Sequence, residues 1–561
     1  MATGSVSKVN DVGMVNSKGA TNMQTRRSGS NIPVLLFFAS GMALALVLAC
    51  SKHYNFRENY RDANSLLHIA EKGSEKPFLK AHMRSGDVCI LRDSWQVDSL
   101  REEVLGTGKR FNFNREMTYA GHMVLPFDRV AIYETNVKIK HSEGSRLTGL
   151  GIIFGLDILV GLVCLVNPKA CFGSCPTFYL NPEDNFHYAD AEGFSSAISP
   201  SMEYADIDAL GRKHVQGDHL SLVMKNEALE THCIDAIKLR VYPAGPEERV
   251  YHSPDNRFFL CTGSHSAILA QASEGNVASK LSSPDRCERF SLADSVQLNT
   301  KEEITLHFNG LCAEEDYGLL LHYRQSLMST YLFYKALAHM GDAVSDVFAA
   351  LERDADLRHR FDTTAKLLGG IDVYTFDAQR QTWDHQDAFG ETGPIAINRQ
   401  MVPLKPNHKN GNLLVKLVLN KGLWRLDHAA LVSIQGEVQT LEIAPCDILS
   451  EGKRAAQALS KMAADGKHMI SMPGSSYEIR FQLPDKNAWY EMFLYSKGYY
   501  LEWMRAEWIK DKNFVKVKQL IDDPENYLIG QTKEYKRYER QMEEIFWNSK
   551  IAEKSFSYDE N

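Results

Sequence analysis

The stretch "LLVKLVLNKGLWRLDHAALVSI", residues 413–434, carries two apolar runs back to back. LLVKLVL (413–419) is almost wholly apolar, as a buried strand is, and GLWRLDHAALVSI (422–434) is expected to follow as its neighbour. Outward from this pair, GIDVYTFD (370–377) alternates, and SSYEIRFQL (475–483) and AWYEMFLYSKGYYLEW (488–503) complete a set of strands. Residues 366–500 therefore read as a C-terminal β-sandwich.

The preceding region reads the same way. LSLVMKN (220–226), AIKLRVYPA (236–244), RFFLCTG (257–263) and EITLHFNG (303–310) are strand-like runs bounded by Gly, Pro, Asn or Asp, which predicts a central β sandwich or barrel over 167–320. Between the two β regions, 321–365 is helical. Leu327, Tyr331, Tyr334 and Ala338 recur at helical spacing, Val344, Val347, Phe348 and Leu351 do so again, and Gly341-Asp342 reads as a stop and restart. A helical pair is expected, its aromatic stripe being core. Near the front, GDVCILRDS (86–94) and RVAIYETNV (129–137) predict a small β-rich domain over 51–146, with Gly106-Thr-Gly108 as punctuation between its strands. The tail, 501–561, is rich in charge, with Trp508, Tyr527, Tyr535 and Trp547 interspersed, and reads as a peripheral helix or two with a loose end. The fold class is thus mainly β with helical insertions (α+β).

Composition agrees with a folded chain. Of 561 residues, 10% are aromatic and 24% charged, an ordinary globular balance, and the length suits several domains. A net charge of -8 offers no basic excess for nucleic acid, and no nucleic-acid module is recognisable.

Location is the most legible property. The uncharged run Ile32–Ala49 follows Arg26 and Arg27, in the manner of the charged and apolar regions of a secretory signal. At about 18 residues it also reaches the length of an uncleaved membrane anchor. Its end, Val47-Leu48-Ala49-Cys50, followed by Ser51 and Lys52, resembles the lipobox of bacterial lipoproteins. That resemblance implies cleavage before Cys50 and a diacylglyceryl chain on its sulfur. Initiation at Met23 would give a signal of ordinary length, making residues 1–22 an upstream extension. A second apolar stretch, Leu147–Val166, is long enough to span a membrane yet contains Asp157, a costly carboxylate at bilayer depth. Gly151 and Gly155 have the spacing that lets membrane helices approach. Lys138, Lys140 and Arg146 precede this stretch and Lys169 follows it, a bias that conflicts with an exported upstream flank. A buried or membrane-associated helix and a true second span both stay open.

The ten cysteines are less tidy. Lipidation of Cys50 leaves nine, and Cys171 with Cys175, or Cys261 with Cys287, are the local candidates for disulfides. CFGSC (171–175) offers two sulfurs with no neighbouring His or Cys to complete a zinc set, so no metal is expected. The carboxylates of PEDN (182–185) and YADID (204–208) lack the EF-hand pattern and read as solvated turn residues.

"VLGTGKRFNFNREMTYAGHMVLPFDRVAIYETN" resembles a segment found in a group of uncharacterised bacterial envelope proteins, ahead of an apolar stretch and an SCP-x-x-Y motif. Here that motif stands as Ser174-Cys175-Pro176-Thr177-Phe178-Tyr179. Phe186-His187-Tyr188, Ala191-Glu192-Gly193-Phe194 and Pro200-Ser201-Met202-Glu203 follow in matching order. The group's usual Gly-Gly-Ala is replaced by Ser195-Ser196-Ala197. The resemblance, over residues 85 to 500, implies an architecture and a location without an activity. The order of strands in 366–500 further resembles a jelly-roll sandwich of the galactose-binding type. Such sandwiches often bind sugars by aromatic stacking, which makes Tyr495, Tyr499, Tyr500 and Trp503 candidates for a ligand surface, while Trp424, Trp489 and Tyr495 equally suit a core between sheets.

No nucleophile elbow, H-E-x-x-H, Walker loop or serine acyltransferase set is present. His187, His232, His322 and His428 therefore read as surface or core histidines, and no cofactor is expected. The reading is a non-catalytic envelope lipoprotein, anchored to the membrane by lipid or by a transmembrane helix. It would bind a glycan or an envelope protein. A polysaccharide hydrolase and a membrane-embedded assembly factor are the alternatives. Two carboxylates about 5 to 9 Å apart in a pocket would mark the hydrolase, and an aromatic surface without them the binder.

Overall fold

The computed structural model describes residues 78–112, 116–141, 175–180, 188–228, 230–390, 392–405, 411–462, 466–472, 474–502 and 510–548, together with the strand pairing of Lys52–Glu58 and Phe556–Tyr558. Both apolar stretches, with Cys50 and Asp157, lie outside the described residues. No described helix is long and apolar enough to cross a membrane.

The fold is mainly β, with several sheets and few helices. The N-terminal sheet runs in the order Lys52–Glu58, Val130–His141, Leu79–Met83, Val88–Asp98, Glu103–Phe111, Met117–Pro126, with Phe556–Tyr558 added on Val130–His141. It encloses its own cluster, Leu79, Ala81, Leu91, Trp95, Val104 and Tyr133 among them. Gly106-Thr-Gly108 lies inside the strand Glu103–Phe111, not between strands. There a glycine is required, since a Cβ on Gly106 would fall 2.7 Å from that of Trp95.

The regions expected as separate central and C-terminal domains share their sheets instead. Glu230–Pro243 pairs with Trp489–Glu502 along nearly its whole length, and His219–Lys225 pairs with Ser476–Gln482. Asp316–Gln325 pairs with Trp424–Val438. One hydrophobic cluster runs from Cys175 to Met542. Alternation of apolar residues reveals which face of a strand is buried, but not its partner.

The two runs of 413–434 are strands, yet they are not neighbours. Leu413–Asn420 lies between Lys301–Phe308 and Ile371–Asp377, whereas Trp424–Val438 enters another sheet. Gly422, at φ +79°, turns the chain across from one layer to the next, and its added Cβ would strike Ala293. Enclosed Arg289 donates to both oxygens of Glu302, at 2.6 and 2.7 Å, tying the same two sheets together. The second sheet closes on itself through Phe258–Ser266, Arg249–His252, Asn398–Pro403, Asp316–Gln325 and Trp424–Val438. Tyr251, Phe259, Cys261, Leu320, Met401 and Val432, drawn from all five strands, fill this small barrel.

The helical segment has three helices rather than two, Met328–Met340, Val344–Arg353 and Ala355–Leu368, with Gly341 at φ +57° ending the first. The side chain of Asp354 caps the third by accepting from the Leu357 N–H. The tail forms two helices, Phe514–Asp522 and Pro524–Asn548, and they are part of the core: Tyr527, Leu528, Tyr535 and Met542 are buried. Tyr535 meets Tyr331 of the first helix at 5.2 Å in a tilted pair, so Tyr527 and Tyr535 are packing residues, while Trp508 lies outside the described residues.

Candidate functional site

A cavity of about 520 Å³ opens on the N-terminal sheet. Cys89, Arg110 and Tyr119 stand opposite one another on three adjacent strands, so their side chains leave the same face and form one wall. The neighbouring row is Leu91, Gly108 and Gly121, two of them without a side chain. Between Leu91 and Trp95 the pairing shifts register, which bends the strand around the recess. Met83, Met123 and Leu125 supply apolar surface. Two tight segments complete the rim. The turn Met83–Asp87 is closed by Gly86 N–H to Met83 O at 2.9 Å and carries Arg84, while the 3₁₀ turn Phe127–Arg129 carries Asp128 and Arg129. Arg84 N–H donates to Arg129 O at 2.8 Å, fixing one rim against the other.

The cavity combines an aromatic ring, guanidiniums, a thiol and apolar surface. Tyr119 is 49% exposed, its hydroxyl donating to His122 O at 3.0 Å, and the ring lies over Gly121, where a Cβ would meet the phenol oxygen at 2.8 Å. Arg110 donates through Nε at 2.9 Å and through one Nη to the same oxygen of Asp87, whose carboxylate raises the guanidinium further above its ordinary range. Burial pushes the Cys89 thiol up to about 11, which favours its neutral, un-ionised form at this wall. Asp128 is the one carboxylate among the lining residues.

The paired carboxylates lie elsewhere, packed among strands. Glu192 Oε2 accepts from the Ile395 and Ala396 N–H groups at 2.7 and 3.2 Å. Gly393 is confined to glycine there, since its Cβ would fall 2.0 Å from the Glu192 carboxyl carbon. Asp206 accepts from Phe194 N–H at 3.1 Å, and the Phe194 backbone is held at φ +37°. Asp208, 4% exposed, has an Oδ2 with no hydrogen-bond partner among the described residues. Burial pushes Asp206 up to about 6. Burial, with the charges of Asp206 and Glu192, pushes Asp208 well above the carboxylate range. Asp206 and Asp208, read from sequence as solvated turn groups, are strand residues, Asp206 part-buried and Asp208 buried, while 182–185 lies outside the described residues. Among the described residues no group of three or more His, Cys, Asp or Glu side chains is placed to hold a metal ion. His322 and His428 face each other at 5.0 Å, both pushed down chiefly by burial, and His232 meets Glu230 at 2.7 Å, so these three are core histidines.

Most of the expected ligand surface is core. Tyr499 is 1% and Tyr500 7% exposed: adjacent on Trp489–Glu502, they point to opposite faces of the sheet, and both rings are packed into the main hydrophobic cluster. The Tyr500 hydroxyl donates to Ser195 O at 3.0 Å, and Tyr499 packs its ring against His468. Tyr495 is half-buried beneath Lys238 and Arg240, and Trp503 lies outside the described residues. Trp424 is core, whereas Trp489 is 48% exposed with Arg212 stacked at 4.6 Å. Cys261 and Cys287 are unbridged: the first is sealed inside the barrel, where its thiol donates to Phe259 O, and the second is exposed outside it. Cys175 is buried, and Cys171 lies outside the described residues.

Sequence reasoning missed Arg84, Arg110, Tyr119, Arg129 and the cavity they surround. The available signal was the glycine pair in a strand-like run, which marks a bend or a close approach as readily as a turn.

No family model and no curated protein matches this chain. Among solved structures, a family 86 glycoside hydrolase in complex with neoagarooctaose aligns at 9% identity over 41% of this chain and 34% of its own, with a TM-score of 0.16. A family 86 β-porphyranase from Bacteroides plebeius aligns at 8% identity over 41% and 37%, also at 0.16. The infectious bursal disease virus VP2 subviral particle aligns at 11% identity over 68% and 98%, at 0.12. The chain spans about a third of the length of the two hydrolases. Similarity this low carries no argument about fold or function.

Proposed function

We propose that this chain is a non-catalytic binding module of the bacterial cell envelope, held at the membrane through Cys50 and receiving a carbohydrate in the cavity of its N-terminal sheet. The observation that carries the binding reading is the composition of that cavity: a half-exposed tyrosine ring and guanidiniums over apolar surface, with a single carboxylate and an un-ionised thiol. Most glycoside hydrolases use two carboxyl groups across one bond, whereas this cavity is lined by one, and Asp206 and Asp208 lie on a strand elsewhere. An aromatic ring beside planar donors suits the apolar face and the hydroxyls of a sugar. The test is titration calorimetry with neutral and charged oligosaccharides, beside a chromatographic assay for cleavage. Binding without products, abolished by Tyr119→Ala, is the expected result. Time-dependent release of shorter sugars by the wild-type chain would overturn it.

A further inference from the structure

We propose that the ligand of this cavity is an acidic sugar, a ring bearing a carboxylate or an ester-linked anion such as sulfate. The inference rests on the carbohydrate reading above and adds the charge of the ligand. Arg84, Arg110 and Arg129 line the cavity against one lining carboxylate, Asp128. The Arg129 side chain has no hydrogen bond or ion pair among the described residues, and Arg110 commits Nε and one Nη to Asp87, leaving its other Nη for a ligand. A guanidinium fork matches a carboxylate or sulfate edge by two parallel hydrogen bonds, which no neutral hydroxyl reproduces. The chain as a whole carries -8, so attraction of an anion has to come from this local set. Apolar Met123 and Leu125 and the Tyr119 ring disfavour a small, fully hydrated anion and suit an anion carried on a ring. An acidic peptide would satisfy the arginines but offer Tyr119 no comparable face.

The experiment is titration calorimetry of the full chain with a neutral trisaccharide, a uronate trisaccharide, a sulfated trisaccharide and a tetraglutamate peptide. At least one charged trisaccharide should bind about tenfold or more tightly than the neutral one, the worth of one charge-assisted hydrogen bond. Arg129→Gln should remove about tenfold of that affinity. Asp128→Asn should raise it by about threefold, by deleting a like charge at the rim. Affinity should fall as NaCl rises from about 50 to about 500 mM. Both variants change exposed side chains, so the fold is retained. Equal binding of neutral and charged sugars, indifferent to Arg129→Gln, would overturn the charge inference and leave the carbohydrate reading standing. Binding of the peptide alone would overturn both, as would the absence of any binding.

Discussion

Asp206→Asn should make the protein less sensitive to pH. Asp206 and Asp208 are two residues apart on Tyr204–His214, so both leave the same face of that strand, beside Glu192. Burial raises Asp206 from 3.8 to about 6, and Asp208 is raised further. A folded-state pKa above the unfolded value means the folded chain holds the proton more tightly. The stability is fully present below about pH 4 and is lost as pH rises through the folded pKa. For Asp206 the difference of about two pKa units corresponds to about 3 kcal/mol, at 1.36 kcal/mol per unit, lost between about pH 4 and pH 7. Asn keeps an oxygen to accept the Phe194 N–H and loses the one that accepts from Ile207 N–H at 2.9 Å, a cost independent of pH, but it cannot ionise, and its neutrality also relieves Asp208. Urea unfolding of wild type and variant from pH 4.5 to 7.5 isolates the effect of Asp206 and its neighbour Asp208, since titrating groups that do not sense Asp206 cancel in the difference. The variant should gain about 2 to 3 kcal/mol on the wild type across that range. Parallel curves would refute the reasoning, showing that these carboxyls ionise as freely folded as unfolded.

Gly393→Ala should destabilise by about 2 to 4 kcal/mol in the same assay, by driving the Glu192 carboxylate off the Ile395 and Ala396 N–H groups that hold it. Glu302→Gln should cost about 1 to 3 kcal/mol, because enclosed Arg289 loses one charge-assisted partner while keeping Glu274. In maleimide labelling of the native chain, Cys287 should react at once and Cys261 only after unfolding, by mass of the labelled peptides. Cys50→Ser should abolish lipidation and leave the precursor uncleaved, read by intact mass against a wild type that begins at a diacylated Cys50. An unchanged N-terminus in both proteins would instead make the apolar run Ile32–Ala49 a span.

The elements themselves were largely legible. Val88–Asp98, Phe258–Ser266, Lys301–Phe308 and Leu413–Asn420 follow from β-branched and apolar runs ended by turn residues, and the break at Gly341 from its need for positive φ. Pairing was not legible, because the same alternation serves a strand whether its neighbour is ten or two hundred residues away. This is why Trp424–Val438 reads as the neighbour of Leu413–Asn420 although it pairs elsewhere, and why the crowded tyrosines of Trp489–Glu502 read as a surface although Tyr499 and Tyr500 are packed on opposite faces of their sheet. The site was hidden for a related reason. Cys89, Arg110 and Tyr119 are ordinary residues in sequence and meet only through the register of three strands.

The interleaved sheets set the order in which this chain can mature. Glu230–Pro243 lacks its long partner until Trp489–Glu502 has been made, and His219–Lys225 waits for Ser476–Gln482. Pairings across such separations close large loops before they return any contact energy, which makes folding slow and leaves strand edges bare meanwhile. In a chain stopped short of residue 489, the sheet built on Glu230–Pro243 and Trp489–Glu502 therefore cannot form. Growing out of a ribosome or through a translocation channel, the chain would depend on chaperones to keep those edges apart until its last long strand arrives.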